Sequence, residues 1–369
     1  MINFIFYKIS TALKRFWFSY VVRQHKFFSV VPLSVAGAFI TGLCLSLLFA
    51  ACTTQNTSNT TNVSANNSTQ NKATLVRFGY QKSAILLKSK GLLEKRLQPE
   101  GVSVEWIEFP AGPQLLEAMN VGSIDIGHTG ESPPIFAQAA GAAITYIAGI
   151  IPSPANSAIL VPQNSAIKTV NDLKGKKIAF QKGSSAHYLL VQILEKYGLK
   201  YSDIQPIYLP PADARAAFVK GSIDAWSIWD PFYAAAEESA NARVLIDGAG
   251  INKQGGYYLA SQKFANQQPE IIKAILEEIQ SLETWSAQNR DEVATTLAPI
   301  LGIDLETMKK STNRRNFGIR PITQELITLQ QQVADKFYEL KLIPKPIDVK
   351  QAMLTPEQYA AFSPKTLNN

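Results

Sequence analysis

Apolar and polar positions change period along this chain in an order that repeats. Thr74 to Gly79 is apolar enough for a strand, Gln81 to Ser83 follows as a polar loop, and Ala84 to Leu97 supports one or two helical turns broken near Gly91. Val102 to Phe109 alternates through Val102, Val104, Trp106/Ile107 and Phe109, the period of a half-buried strand. Pro113 to Val121 then predicts a helix entered through a proline-containing turn. A strand at Ile124 to Gly127 ends in the polar loop His128-Thr129-Gly130-Glu131-Ser132-Pro133-Pro134, with a further helix after Pro133.

The same series recurs about one hundred residues later. Lys177 to Phe180 predicts a strand, Gly183-Ser184 a turn, and Ser185 to Gly198 an amphipathic helix with Leu189, Leu190, Ile193 and Leu194 on one side. Ala212 to Lys220 is the matching proline-entered helix, and Ala225 to Trp229 the matching strand. Phe78-Gly79-Tyr80-Gln81-Lys82-Ser83 echoes Ala179-Phe180-Gln181-Lys182-Gly183-Ser184, and Gly122-Ser123-Ile124-Asp125 recurs as Gly221-Ser222-Ile223-Asp224. Each half therefore has βαβαβ order, which implies an α/β fold of two lobes, each a mostly parallel sheet flanked by helices. Ligands collect at the carboxyl ends of such strands, and two facing edges make an inter-lobe cleft.

Ser157 to Pro162 and Tyr257 to Ala260 are apolar and are expected to cross between lobes. The division that follows is lobe 1 from residues 73–160 and 257–369, with lobe 2 inserted as residues 161–256. Pro269 to Trp285 and Ile322 to Leu340 carry apolar residues at helical spacing and belong to the core of lobe 1.

At 369 residues there is enough chain for two lobes with real cores, and the net charge of +7 suggests nucleic acid until it is located. Lys8, Lys14, Arg15, Arg23, Lys26 and Lys72 all precede the first acid, Glu94, so the chain beyond Lys72 carries a net +1. No RNA-binding motif or basic helix face appears there, so a nucleic-acid partner is not expected. Phe27 to Ala51 is uncharged and apolar behind that cationic stretch, and Leu48-Phe49-Ala50-Ala51-Cys52 resembles a bacterial lipobox in which Cys52 is lipidated. The alternative is a retained signal anchor, since the run is long enough to span a bilayer. Residues 1–52 form the leader on the first reading, and either reading puts the body outside the inner membrane. Thr53 to Lys72 is nearly all Thr, Asn, Ser and Gln and cannot bury enough apolar surface to fold, so residues 53–72 form a tether. No cysteine follows Cys52, which excludes thiolate metal sites and disulfides from the body.

The candidate chemistry is anion binding. The first N–H groups of a helix lack intrahelical partners and carry partial positive charge, so an oxyanion can sit at the Ser185 helix start. Ser184 or Ser185 can equally be a plain N-cap. Thr129 and the Gly130 amide are candidate donors, whereas Glu131 repels an anion unless it meets a cationic or hydroxyl part, and otherwise caps the following helix. Trp226 and Trp229, three apart, cannot share a strand face, so one is core and the other faces the cleft. Arg314, Arg315 and Arg320 fall between helical stretches and read as a solvated face or as partners of acids. An enzyme needs an acid, base, nucleophile or metal. Beyond His25 in the leader the chain has only His128 and His187, which with Glu131 form an acid–base set if they meet, and are packed rings otherwise.

Phe109-Pro110-Ala111-Gly112-Pro113-Gln114, the two Gly-Ser-Ile-Asp segments, Gln181-Lys182-Gly183-Ser184-Ser185-Ala186-His187-Tyr188, Leu209-Pro210-Pro211-Ala212-Asp213-Ala214-Arg215 and Ile228-Trp229-Asp230-Pro231 resemble the aliphatic sulfonate-binding proteins of ABC importers. The resemblance runs from about Leu75 to Lys345. It implies a periplasmic type II binding-protein fold, no cofactor, a monomer, an alkanesulfonate ligand acquired for its sulfur, and a permease partner in the inner membrane. The lipid anchor would hold the protein on the periplasmic face of that membrane. Site residues implied are Gln81, Lys82, Thr129, Gly130, Glu131, Gly183, Ser184, Ser185, His187, Trp229 and Asp230, with the alkyl tail against Trp229. Binders of taurine or nitrate, and enzymes of thiamine-precursor synthesis, share the wider superfamily and are the alternatives.

Overall fold

The computed structural model describes residues 74–362, so the leader, Cys52 and the 53–72 tether lie outside the described residues. The first sheet contains β1 (Thr74–Tyr80), β2 (Val102–Glu108), β3 (Ile126–Thr129) and β4 (Ile144–Ile150). The second is built from β5 (Ser157–Pro162), β6 (Lys177–Phe180), β7 (Gln205–Tyr208), β8 (Ala225–Trp229) and β9 (Ala242–Asp247). The chain then returns to the first sheet with β10 (Tyr257–Ser261) and β11 (Ile319–Arg320). The strand orders are β11-β4-β10-β3-β1-β2 and β7-β6-β8-β5-β9.

Within these orders the repeat is explicit. β1 lies between β2 and β3, and β6 between β7 and β8, with all four pairings parallel. The expectation of mostly parallel sheets needs correcting outside those triplets. β10 runs antiparallel to β3 and β4, β11 to β4, and β5 to both β8 and β9. Both sheets are thus mixed, because each parallel triplet is extended by strands that arrive from the other direction. Ser157–Pro162 and Tyr257–Ala260 are also not crossing strands, since each is hydrogen-bonded inside a single sheet. The chain passes between the sheets before β5 and after β9.

The Gly-Ser-Ile-Asp repeat has one structural job performed twice. Helices Gly112–Asn120 and Pro211–Val219 end on Gly122 and Gly221, both left-handed with φ of 74° and 68°. The N–H of Ser123 donates to Ala118 O at 2.8 Å and that of Ser222 to Ala217 O at 2.9 Å, the six-to-one bond of a Schellman ending. The isoleucine that follows is buried in each case. The aspartate then turns back on the first strand: Asp125 Oδ2 accepts from the Arg77 N–H at 2.9 Å, and Asp224 Oδ2 from the Lys177 N–H at 2.7 Å. Asp125 also takes the Arg77 guanidinium, at 2.9 Å from Nε and 2.6 Å from Nη2.

Apolar packing holds helices to each sheet. Phe78, Ile126, Ile147 and Ala260 of the first sheet meet Ile272, Ile275 and Ile279 of the Pro269–Gln288 helix, the last of which are at most 1% exposed. Leu189, Leu190, Ile193 and Leu194 of the Ser185–Lys196 helix cover Ile159, Ile178 and Phe180 of the second sheet. Among the described residues no helix is long and apolar enough to cross a membrane. Replacing Asp125 or Asp224 by Ala leaves a strand N–H without its partner, at a cost of about 1–3 kcal/mol each. Urea unfolding of the purified variants should show the larger loss for Asp125→Ala, since it also strands a guanidinium.

Candidate functional site

The carboxyl ends of β1, β3, β6 and β8 open on one cavity of about 190 Å³. Gln81, Lys82, Thr129, Gly130, Glu131, Ser184, Ser185, Trp229 and Asp230 all contribute to its wall. Gly183 and His187, expected beside them, do not. His187 is fully buried and stacks on Phe180 at 4.7 Å between ring centroids, with Phe337 at 5.2 Å on another side. Its Nδ1 accepts from the Gly183 N–H at 3.2 Å and its Nε2 is 3.0 Å from Tyr201 Oη, so both nitrogens are engaged within the protein. Gly183, at φ 72°, faces the Phe136 ring.

The two adjacent serines have different tasks. Ser184 Oγ donates to Gln181 O at 2.8 Å and accepts from the His187 N–H at 3.4 Å, which makes it the N-cap of the Ser185–Lys196 helix. Ser185, half-buried at the first helical position, sits against the Thr129-Gly130-Glu131 loop. A methyl group on Gly130 would stand 1.7 Å from Ser185 Oγ and 3.0 Å from its Cβ, so any side chain there forces the Ser185 hydroxyl to turn away. Gln81 Nε2 donates to His128 O at 3.0 Å and fixes the same loop from behind.

Glu131 is buried beside Ser132, whose Oγ donates to Oε1 at 3.0 Å. Burial raises its pKa, and its own backbone together with the Ser185 and Ser132 hydroxyls works against that rise. Although it occupies the N-cap position of the Ser132–Ala139 helix, its side chain makes no capping bond. Asp230 is buried as well, and desolvation pushes its pKa up to about 7 against the pull of Arg314 and the Ala234 N–H. That N–H lies 3.0 Å from Oδ1.

Arg314 closes the Helix Leu305–Arg314 against the second sheet's side. Its Nη2 is 2.6 Å from Glu237, its Nη1 is 3.6 Å from Asp230, and its guanidinium lies 3.7 Å above the Tyr233 ring. Arg315 is paired with Glu283 at 2.6 Å and donates to Ser83 O at 2.7 Å. Both arginines are thus partners of acids, as one of the two sequence readings had it, while Arg320 is in β11 rather than in a loop. Trp226 is fully buried and Trp229 half-buried on the cavity wall.

His128 packs on Tyr258 and not on His187. Desolvation lowers the pKa of each histidine to about 3, helped at His128 by Arg315 and at His187 by Lys182, so both rings are neutral at ordinary pH. The acid–base set imagined from the sequence is therefore not assembled. Among the described residues no group of His, Cys, Asp and Glu is placed to hold a metal ion.

Sequence reasoning missed Asn156, Gln254, Gly255 and Gly256, which line the cavity from the segments that join the sheets. The Gly-Gly pair was the available signal. A methyl group on Gly255 would meet Ile150 O at 1.8 Å, and one on Gly256 would meet Thr129 O at 2.2 Å. Four buried atoms of the wall have no protein partner among the described residues: His128 Nδ1, Asp230 Oδ2, Gln254 Oε1 and Thr312 Oγ1. Such atoms favour a polar occupant.

Two outcomes follow from this geometry. Gly130→Ala should weaken ligand binding at least tenfold in a calorimetric titration while leaving the unfolding midpoint nearly unchanged, because the clash arises between the two halves. Asp230, with a folded-state pKa near 7 and an unfolded one near 4, costs stability progressively as pH rises between those values. Asp230→Asn should flatten that part of the stability–pH curve, measured by thermal unfolding from pH 4 to 8.

Comparison with known proteins agrees with the architecture. Residues 97–291 match the family described as NMT1/THI5 like. An aliphatic sulfonates-binding protein of Escherichia coli K12 is 48% identical over 287 residues, 77% of this chain and 89% of the relative. One from Bacillus subtilis 168 is 34% identical over 285 residues, 75% of this chain and 85% of the relative. The solved structure of the alkanesulfonate-binding protein SsuA from Xanthomonas axonopodis pv. citri, bound to MOPS, superposes with a TM-score of 0.74 at 43% identity, covering 76% of this chain and 98% of that one. With this cleft between two mixed sheets, and with the match spanning more than half its length, the chain belongs to the NMT1/THI5-like family.

Proposed function

We propose that this protein is the extracytoplasmic binding subunit of an ABC importer and captures aliphatic sulfonates between its two lobes. The observation that carries the reading is the Ser185 helix start facing the Thr129-Gly130 loop, where the first amides of a helix stand at its positive end beside hydroxyls now turned to Glu131 and Gly130 O. A sulfonate is a permanent anion with three acceptor oxygens, and it suits donors that need no counter-ion. The identity to sulfonate-binding relatives supports the same ligand class. Binding rather than turnover fits two histidines that do not meet and that burial makes weak bases. Ligand that touches both lobes favours the closed state, which a membrane permease can recognise. Lipidation at Cys52 and the polar 53–72 tether would keep the protein at the periplasmic face of the inner membrane, within reach of that permease.

Glu131 and Asp230 on the same wall favour a second reading, a sulfonate that also bears an ammonium group, such as taurine. Calorimetric titration with butanesulfonate, taurine, nitrate and sulfate separates the two. Butanesulfonate should bind tightly, and Ser185→Ala should weaken it about tenfold at unchanged stability, a loss of the size of one hydrogen bond to a charged group. Ser184→Ala should instead cost about 0.5–2 kcal/mol of stability, as an N-cap does. Tighter binding of taurine than of butanesulfonate would select the second reading, and silence toward every sulfonate would overturn both.

A further inference from the structure

The cavity does not stop at the polar edge formed by Thr129, Ser185 and Asp230. It continues into the first lobe between the helices Ile85–Ser89, Pro269–Gln288, Arg290–Leu301 and Leu305–Arg314. There its wall is mainly Leu86, Leu87, Leu282, Val293, Leu297 and Met308, all buried and apolar, with Ser311 and Thr312 of the last helix also on the lining. Protein interiors are close-packed, and an apolar hollow forfeits the contacts its lining would otherwise make. Its six apolar side chains offer water no polar partners. An apolar chamber that opens on a polar ligand cleft is therefore suited to the apolar part of the ligand.

Arg315 also lines the cavity, and its guanidinium is held by Glu283 at 2.6 Å and by Ser83 O at 2.7 Å. An anionic head thus has no reason to move inward past Ser185, while a hydrocarbon chain passes a neutralised ion pair and reaches carbon. The head region and the chamber together measure about 190 Å³, against about 150 Å³ for an apolar cavity that takes a benzene ring.

We propose that this first-lobe chamber is the tail site of the protein, so that the alkyl chain of the ligand runs inward between these helices and sulfonates with chains longer than butyl are preferred. This rests on the sulfonate reading given above. It moves the tail away from Trp229, which then borders the head region.

The test is a titration of the protein with ethane-, butane-, hexane- and octanesulfonate, repeated on Leu297→Trp, Leu297→Phe and Trp229→Ala. In the unaltered protein affinity should rise about fourfold for each added methylene beyond butane, the gain expected for burying it. Leu297→Trp, which fills the chamber, should bring octanesulfonate down to the affinity of butanesulfonate and leave ethanesulfonate unaffected. Retained ethanesulfonate binding shows that a variant is folded, and Leu297→Phe serves if the tryptophan variant is not. Octanesulfonate binding no tighter than butanesulfonate, with both bound, overturns the tail site and leaves the sulfonate reading standing. So does a chain-length gradient lost in Trp229→Ala and kept in the Leu297 variants. Failure of all four ligands to bind overturns the sulfonate reading itself.

Discussion

Everything at the cleft depends on a carboxylate folded back onto a neighbouring strand. Asp125 grips the Arg77 N–H and Asp224 the Lys177 N–H, each joining the strand that begins a parallel triplet to the one that ends it. A strand held at its entry delivers its exit to a defined place. The exits are Gln81, Thr129, Ser184 and Trp229, the residues that meet around the cavity. The left-handed glycine three positions before each aspartate matters for the same reason, because it stops the helix and aims the chain.

The electrostatics of the cleft run against the simplest picture of an anion site. Three acids, Glu131, Asp230 and Glu283, line the cavity along with two cations, and Arg315 is spent on Glu283. What remains for an anion is Lys82 and a set of dipoles: a helix start, hydroxyls and amides. Burial reinforces this by disfavouring charge on Glu131 and Asp230 and on the two histidines.

The repeat was legible in the sequence because its causes are local. A Schellman glycine, a buried isoleucine and an aspartate two residues beyond the serine leave the same letters each time they are used. The antiparallel strands were not legible, because β10 finds β3 and β4 from more than one hundred residues away and no short pattern records such a pairing. Ser184 and Ser185 show the limit most sharply. Either hydroxyl could have turned back to cap the helix, and the choice rests on Gln181 O and the His187 N–H standing where Ser184 reaches them. His187 was misplaced for a related reason. Its ring is enclosed partly by Phe337, whose helix comes from a distant part of the chain. Asn156 and Gln254 belong to the connecting segments, where no periodicity marks a residue as facing a cavity.

The two tryptophans of β8 have unequal surroundings. Trp226 is sealed between sheet and helix, whereas Trp229 is half-buried on the wall of the cleft and edge-on to Phe232 at 6.2 Å. An indole at such a boundary senses whether water or another molecule lies against it. The fold thereby carries an intrinsic optical reporter, in which emission from Trp229 follows occupancy of the cleft over a background from the chain's other tryptophans.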